Sequence, residues 1–177
     1  MRLLRKECYW MYKTGDFVVH KVDGLCQITN ISSLDIPDCD HNKQYYYLIP
    51  TDCPTSKIYV AVGSGDATLR EPVTHDEALD LIDSIPELDE ICVENEKNRQ
   101  SEYNKALVQN DARELCRLLK TTHARKEARI RKGRTATSVD EHFLRSAEHA
   151  LFSELSYALG VDEKEMNDFI EDRLSKD

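Results

Sequence analysis

The first third of the chain alternates between apolar and polar positions in the manner of short β-strands. Residues 15–31 read GDFVVHKVDGLCQITNI, two apolar runs that are interrupted at Asp23-Gly24. Asp-Gly tolerates the positive φ that a tight turn between antiparallel strands needs, so the stretch predicts a β-hairpin. Because an isolated hairpin is only marginally stable in water, further strands should complete a small sheet.

Two later segments carry the same pattern. Gln44 to Ile49 is rich in tyrosine, and Lys57 to Val62 alternates apolar with other residues. The intervening segments are rich in Asp, Asn, Pro and Ser, which predicts turns. Four or five short strands within roughly sixty residues predict a small twisted β-barrel of the Tudor or SH3 kind.

After Leu69 the apolar residues recur at helical spacing instead. Thr74-His75-Asp76-Glu77 is a capping box before a helix that should end at Pro86. Further helices are predicted from about Val93 to Gln109, from Asn110-Asp111 to near Gly133, from a second capping box at Ser138–Glu141 to Gly160, and from Asp162. The fold class is therefore α+β as two domains: an extension at residues 1–11, a β-barrel at 12–70 and an all-helical domain at 71–177.

Charged residues are distributed unevenly along the helical half. The chain has 33 Asp or Glu and 24 Lys or Arg, for a net charge of -9, yet Arg113 to Arg134 carries nine basic residues against Glu114 and Glu127. One interpretation is a solvated helix end whose cations complement the helix dipole. The other is a phosphate-binding surface.

The cysteines and the apolar runs limit the remaining functions. The six cysteines are scattered and form no C-x-x-C pair, as expected of reduced thiols. A zinc site using Cys39, His41 and Cys53 is conceivable but lacks a fourth ligand, so no cofactor or metal is expected. No apolar run approaches about eighteen residues, and the basic start is too short for a signal peptide, so we expect a cytoplasmic protein without a membrane partner.

Taken in order, the motifs of this chain resemble those of the CarD/CdnL family of bacterial transcription regulators. They are K-x-G-D-x-V-V-H-x-x-x-G-L-C-x-I and K-I-Y-V-x-V in the β-half, then E-Y-N-K-A-L-x-x-N-D, E-L-C-R-L-L-K and E-H-F-L-R-S-A-E in the helical half. The resemblance covers about Tyr12 to Ile170. The N-terminal module of this family, which interacts with RNA polymerase, is shared with the transcription-repair coupling factor.

The resemblance implies a regulator that binds RNA polymerase and promoter DNA together. In the family, the β-module docks on the lobe of the polymerase β subunit by pairing an exposed strand with it, and the helices contact DNA near the upstream edge of the melted promoter. Open-complex stability would be modulated in this way. The polymerase-binding residues are then expected to be Leu34, Tyr45, Tyr47, Ile58, Tyr59, Val60 and Ala61.

The DNA contacts are expected to be mostly to the phosphate backbone. They are Arg99, Lys120, Arg125, Lys126, Arg129, Arg131, Lys132 and Arg134. Family members often place a Trp wedge four residues before Tyr103, where this chain has Arg99. Arginines that some relatives use against polymerase align with Leu34 and Ala61, so docking would depend on backbone pairing and other side chains.

Two other functions stay open. The net charge and the missing Trp favour a polymerase-bound adaptor that holds another protein and makes no DNA contact. Alternatively, Tyr45, Tyr46 and Tyr47 would give the β-module a stacking face for RNA or peptide. An enzyme is not expected, and neither is a small-molecule substrate, because Gly63-Ser64-Gly65-Asp66 is no Walker sequence and the histidines lack triad-like or metal-like spacing.

Overall fold

The computed structural model describes residues 11–34 and 42–175. Cys39 and His41 of the zinc hypothesis lie outside these residues. Among the residues that are described, no group of three or more His, Cys, Asp or Glu side chains is placed to hold a metal ion. None of the helices in those two ranges has the length and apolar character needed to cross a membrane.

The N-terminal part is a curled half-barrel of five antiparallel strands, as the sequence predicted. The strands are β1 Phe17–His20, β2 Gly24–Ser32, β3 Tyr45–Pro50, β4 Ile58–Ala61 and β5 Leu69–Arg70. Their order across the sheet is β4-β3-β2-β1-β5. Strands β4 and β5 are therefore the two edges.

The predicted hairpin is confirmed, with Val18 opposite Cys26 and His20 opposite Gly24. Gly24 has φ +67°, a conformation that glycine adopts without strain. Alternation along β3 buries Tyr46 and Leu48 and leaves Tyr45 and Tyr47 half-buried on the outer face. The inner side chains form an apolar cluster made of residues from the β-half: Tyr12, Val18, Cys26, Ile28, Tyr46, Leu48, Val60 and Leu69.

Five α-helices follow within the described residues. They are α1 His75–Ser84, α2 Arg99–Val108, α3 Ala112–Arg131, α4 Ser138–Leu159 and α5 Met166–Leu174. The second helix begins later than the predicted Val93, because the side chain of Asn95 caps a separate 3-10 turn at Glu96–Asn98. The short predicted helix at Asp162 is a 3-10 turn, Glu163–Glu165, that leads into α5.

The helix caps explain where α1 and α4 begin. The predicted box at α1 is confirmed: the Glu77 N–H donates to Thr74 Oγ1, and the Thr74 N–H donates to Glu77 Oε2 at 2.8 Å. The predicted box at Ser138 is wrong by one residue. Thr137 is the cap of α4, since its Oγ1 accepts from the Asp140 N–H at 3.1 Å.

The helices enclose apolar clusters of their own. The larger cluster joins α1, α3, α4 and α5 and includes Leu115, Cys116, Leu151, Leu155 and Met166. A smaller cluster centres on Tyr103, Leu118 and Phe143, where α2 meets α3 and α4. The β-half and the helical half therefore have separate apolar cores.

Polar and aromatic contacts join the two halves. Helix α4 lies against β2, where a Cβ on Gly24 would stand 3.4 Å from Ser153 Oγ. The Arg70 guanidinium donates to the buried Glu154 carboxylate, with 2.7 Å between Nη2 and Oε2. The same carboxylate accepts from the Val73 N–H at 2.9 Å. The segment at the predicted domain boundary is thus held by Glu154, while independent folding of the two domains stays a prediction.

Candidate functional site

Strand β4 presents an open edge of the sheet. It pairs with β3 on one side only. Just beyond β4, the Val62 N–H donates to the Gln44 carbonyl at 2.9 Å. Because backbone groups in an antiparallel pair alternate in direction, those of Ile58 and Val60 point toward β3, and those of Tyr59 and Ala61 point outward.

The open edge is short. The Gly65 N–H donates to the carbonyl oxygen of Ala61 at 2.8 Å. A Cβ added to Gly65 would lie 2.7 Å from that oxygen and 2.5 Å from Val60 Cγ1, so the turn packs closely on this end of β4. Tyr59 is therefore the position where the backbone of β4 is open to a partner strand.

Aromatic side chains cover the outer face beside this edge. The rings of Tyr47 and Tyr59 meet edge to face, with 4.9 Å between their centroids. The Tyr47 hydroxyl donates to the Ser33 carbonyl at 3.0 Å, and Tyr59 is 39% exposed. Of the predicted polymerase-binding residues, Tyr45, Tyr47, Tyr59 and Ala61 share this region, while Ile58 packs partly against the core.

Two of the predicted polymerase-binding residues of the β-module lie in buried positions. Leu34 and Val60 have buried side chains, and alternation turns Val60 toward the core. Strand β3 lies between β2 and β4 and is paired with β4 over Tyr45–Leu48, so the backbone of Tyr45 and Tyr47 is not open to a partner strand. Tyr46 is fully buried against Tyr12, which removes it from any stacking face.

The second candidate surface lies at the C-terminal end of α3. We call Lys126, Arg129, Arg131, Lys132 and Arg134 the basic tip. Residues 131–135 form a continuous exposed run. Arg129 Nε donates to the Thr135 carbonyl at 2.7 Å, which folds the following loop back on the helix. Arg131 pairs with Glu127 at 3.1 Å in solvent, and such exposed pairs are weak.

Lys120 does not belong to that surface. Its Nζ donates to the carbonyl oxygens of Ile85, Pro86 and Leu88 at 3.0, 2.7 and 2.7 Å. These contacts fix the turn that follows α1 against α3. The structure thus gives Lys120 an internal contact in place of the predicted phosphate contact.

Arg99 and Arg125 are also turned inward. Both pair with Glu96, at 2.6 Å from Arg99 Nη1 and 2.8 Å from Arg125 Nη2. The Nε atoms of both arginines lie 3.6 and 3.5 Å from Oδ1 of Asp140. We call these four residues the arginine cluster. Neither arginine is the free surface cation that the sequence suggested, and Arg99 has a side chain only 13% exposed.

The arginine cluster is balanced in charge and partly desolvated. Asp140 is 1% exposed, and the Tyr103 hydroxyl lies 3.4 Å from it. Burial raises the pKa of Tyr103 to about 12, and the Asp140 charge adds to this. Burial acts to lower the pKa of Arg125, but its hydrogen bond to Glu96 and the nearby Tyr103 and Asp140 hold that pKa above the ordinary value.

Sequence reasoning missed Glu96 and Asp140 as parts of a site. These residues come from a 3-10 turn and from the first turn of α4, far apart in the chain from Arg125. Asp140 could have been identified from its place three residues after Thr137, which is a capping pattern. Placing the cap at Ser138 instead concealed this pattern.

The architecture of the N-terminal part indicates a class of protein, and the comparison with known families then adds a family. A small curled sheet with an open edge strand is typical of an interaction module. Residues 12–73 match the family model of the CarD-like/TRCF RID domain, and this segment contains all five strands. Over these residues the chain is similar to the CarD-like/TRCF RID domain, a family of non-catalytic modules that interact with RNA polymerase. None of the curated proteins compared with the chain matches it.

Proposed function

We propose that this protein is a bacterial, cytoplasmic transcription regulator that docks on the polymerase β-subunit lobe through the Tyr59 edge of β4. With the basic tip it contacts promoter DNA near the upstream edge of the bubble and thereby modulates open-complex stability. The observation that carries the proposal is the open edge of β4 within a domain of a polymerase-interacting family.

Strand pairing suits that edge chemically. The backbone N–H and C=O of Tyr59 supply hydrogen bonds to an added strand, and side chains beside it supply specificity. Tyr47 and Tyr59 offer an aromatic surface of the kind that is enriched at protein interfaces. Leu34 and Ala61 bring no charge to the contact, so backbone bonds carry more of the affinity here.

The basic tip suits phosphate groups better than base edges. Its cations lie at a helix end and in a loop, so no recognition helix presents a set of side chains to a groove. The net charge of -9 opposes binding to DNA by the free protein. Docking on polymerase would hold the tip beside DNA and raise its effective concentration.

An adaptor without DNA contact is the second candidate. It is favoured by one observation: Arg99, Lys120 and Arg125, three of the eight predicted DNA contacts, are occupied within the helical domain. In that case the helices would hold a second protein. Open-complex lifetime would then be insensitive to the charges of the tip.

The experiment measures polymerase binding and open-complex lifetime for matched variants. We expect Tyr59→Pro to lower affinity for the isolated β lobe at least tenfold, because proline removes the outward N–H at a position that an edge strand tolerates. Tyr59→Thr removes the same ring but keeps the N–H, so it should lose clearly less affinity than Tyr59→Pro, and the difference between the two variants measures the backbone hydrogen bond. A folded Tyr59→Pro variant that binds normally would exclude strand pairing.

The second arm uses Lys132→Glu with Arg134→Glu. Both residues are exposed, and loss of two phosphate contacts should shorten open-complex lifetime and lower the salt slope by about two. Lys105→Glu with Lys164→Glu makes the same charge change outside the tip and should have little effect. If the tip variant behaves like this control while lobe binding persists, the adaptor replaces the DNA-contacting regulator.

A further inference from the structure

We propose that the arginine cluster is a binding site for one phosphate group of nucleic acid, and that the carboxylate of Glu96 occupies this site in the free protein. Arg99 and Arg125 would hold the phosphate together. This inference rests on the proposed DNA contact. It adds a specific binding site for one phosphate and identifies the Glu96 carboxylate as the protein group that competes for this site.

The geometry around Glu96 is that of an oxyanion bound by two guanidinium groups. Arg99 donates to Oε2 at 2.6 Å. Arg125 Nη2 lies 2.8 Å from Oε1 and 3.1 Å from Oε2. One nitrogen of each arginine donates to the carboxylate, and phosphate oxygens accept charge-assisted hydrogen bonds from guanidinium nitrogens equally well, so a phosphate can replace this carboxylate on the same donors.

The two acidic residues of the cluster differ in how firmly they are placed. Asp140 is buried, and its carboxylate accepts from the Thr137 hydroxyl at 2.7 Å and lies beside the Tyr103 hydroxyl. Glu96 is 63% exposed and sits in a single 3-10 turn. Exposed ion pairs contribute little to stability, so Glu96 is the replaceable partner and Asp140 the permanent one.

Charge balance favours the same exchange. Two arginines and two carboxylates sum to zero, and movement of Glu96 into solvent leaves the cluster at +1. A phosphodiester carries one negative charge and restores the balance. The Nε atoms of Arg99 and Arg125 lie 3.6 and 3.5 Å from the buried Asp140 carboxylate, and Arg99 Nη2 donates to Thr137 Oγ1 at 3.4 Å. These contacts do not involve Glu96, so they keep the guanidinium groups in place when Glu96 leaves.

The cluster is continuous with the basic tip. Arg125 and Arg129 are four residues apart on α3, and residues at that spacing lie on one helix face. A nucleic-acid backbone that follows the tip therefore reaches Glu96 next. The site would lengthen the contact by one phosphate.

The test compares Glu96→Gln with wild type in the full chain, using fluorescence anisotropy of a labelled 20-base-pair duplex over a range of salt concentrations. We expect Glu96→Gln to bind about threefold to tenfold more tightly at low salt, with the salt slope increased by about one. Glu102→Gln removes the same charge from a pair with Lys105 on α2 and serves as the control. Equal gains in both variants would overturn the proposal, since they would reflect net charge alone.

A second variant separates the site from the rest of the tip. Arg125 reaches Glu96 with Nη2 and faces Asp140 with Nε, and the single ammonium of Arg125→Lys cannot occupy both positions. In the Glu96→Gln background this variant keeps the charge and should remove the added affinity and slope. If Lys132→Glu with Arg134→Glu weakens binding while Glu96→Gln changes nothing, the phosphate site is wrong and the DNA contact stands. If neither change affects binding, both are wrong.

Discussion

The cysteines show how strongly immediate surroundings set the chemistry of one residue type. Cys26 and Cys116 lie in apolar surroundings, and burial raises the pKa of each thiol to about 12. The Ser56 hydroxyl donates to the half-exposed Cys53 sulfur at 3.2 Å, and this bond, with a second from Thr55, lowers the pKa of Cys53. Since the thiolate is the nucleophile, the three thiols should differ in reactivity.

We therefore expect iodoacetamide at pH 8 to alkylate Cys53 much faster than Cys26 or Cys116, as followed by peptide mass spectrometry. Ser56→Ala should slow alkylation of Cys53, because the thiolate loses its main donor. The protection of Cys26 and Cys116 comes from their neutral, buried form. It should be complete below pH 9 and lost as the pH rises toward 12. Equal rates for all three thiols at pH 8 would contradict the burial shown here.

At the same scale, residue type alone did not indicate the partners of three of the predicted DNA contacts. Lys120, Arg99 and Arg125 could be found as cations on helices, but their partners are carbonyl oxygens near Pro86 and carboxylates at Glu96 and Asp140. Glu96 lies only three residues before Arg99. Its contact with Arg125, the contacts of Asp140 and those of Lys120 depend on tertiary packing, which no local spacing encodes. Lys132 and Arg134 were predicted as exposed cations, and they are exposed because the chain leaves the helix there.

At the scale of elements, the existence of strands and helices followed from periodicity, while their ends depended on single hydrogen bonds. Period-2 alternation in residues 45–49 and the apolar repeat after Thr74 each produced the predicted element. The start of α4 was misplaced because Thr137 and Ser138 are both good caps by residue type. Asp140 decides between them, since its N–H reaches Thr137 and its carboxylate accepts from the same hydroxyl.

The contribution of the Thr137 cap to stability can be predicted and measured directly. Thr137→Ala should lower the free energy of unfolding by about 1 kcal/mol, because the Asp140 N–H at the start of α4 loses its acceptor. Ser138→Ala changes an exposed first-turn residue and should stay within about 0.5 kcal/mol of wild type. Urea unfolding followed by far-UV circular dichroism measures both. A larger loss for Ser138→Ala would restore the cap that the sequence suggested.

At the scale of the whole molecule, the sequence indicated two domains but not how they meet. The predicted domain boundary lies next to Pro72, and the sequence alone indicates no contact that would fix the two domains there. In the structure Arg70 at the end of the sheet and Val73 beside it both bond to Glu154 in the middle of α4. Asn110, which precedes α3, donates to the Val19 carbonyl at 3.1 Å and adds a second polar contact. A polymerase-bound sheet and a DNA-bound tip would thereby keep a defined separation.

The last prediction tests whether Arg70 and Glu154 join the domains energetically. Arg70→Met leaves a fully buried carboxylate without its cation, which should lower the free energy of unfolding by about 3 kcal/mol. Arg70→Met combined with Glu154→Gln removes the buried charge and keeps an acceptor for the Val73 N–H, so it should regain most of that loss. Urea unfolding of the four members of this double-mutant cycle gives the coupling free energy. Additive losses would show that the pair fixes no orientation, and the polymerase-bound sheet would then leave the basic tip free to swing relative to DNA.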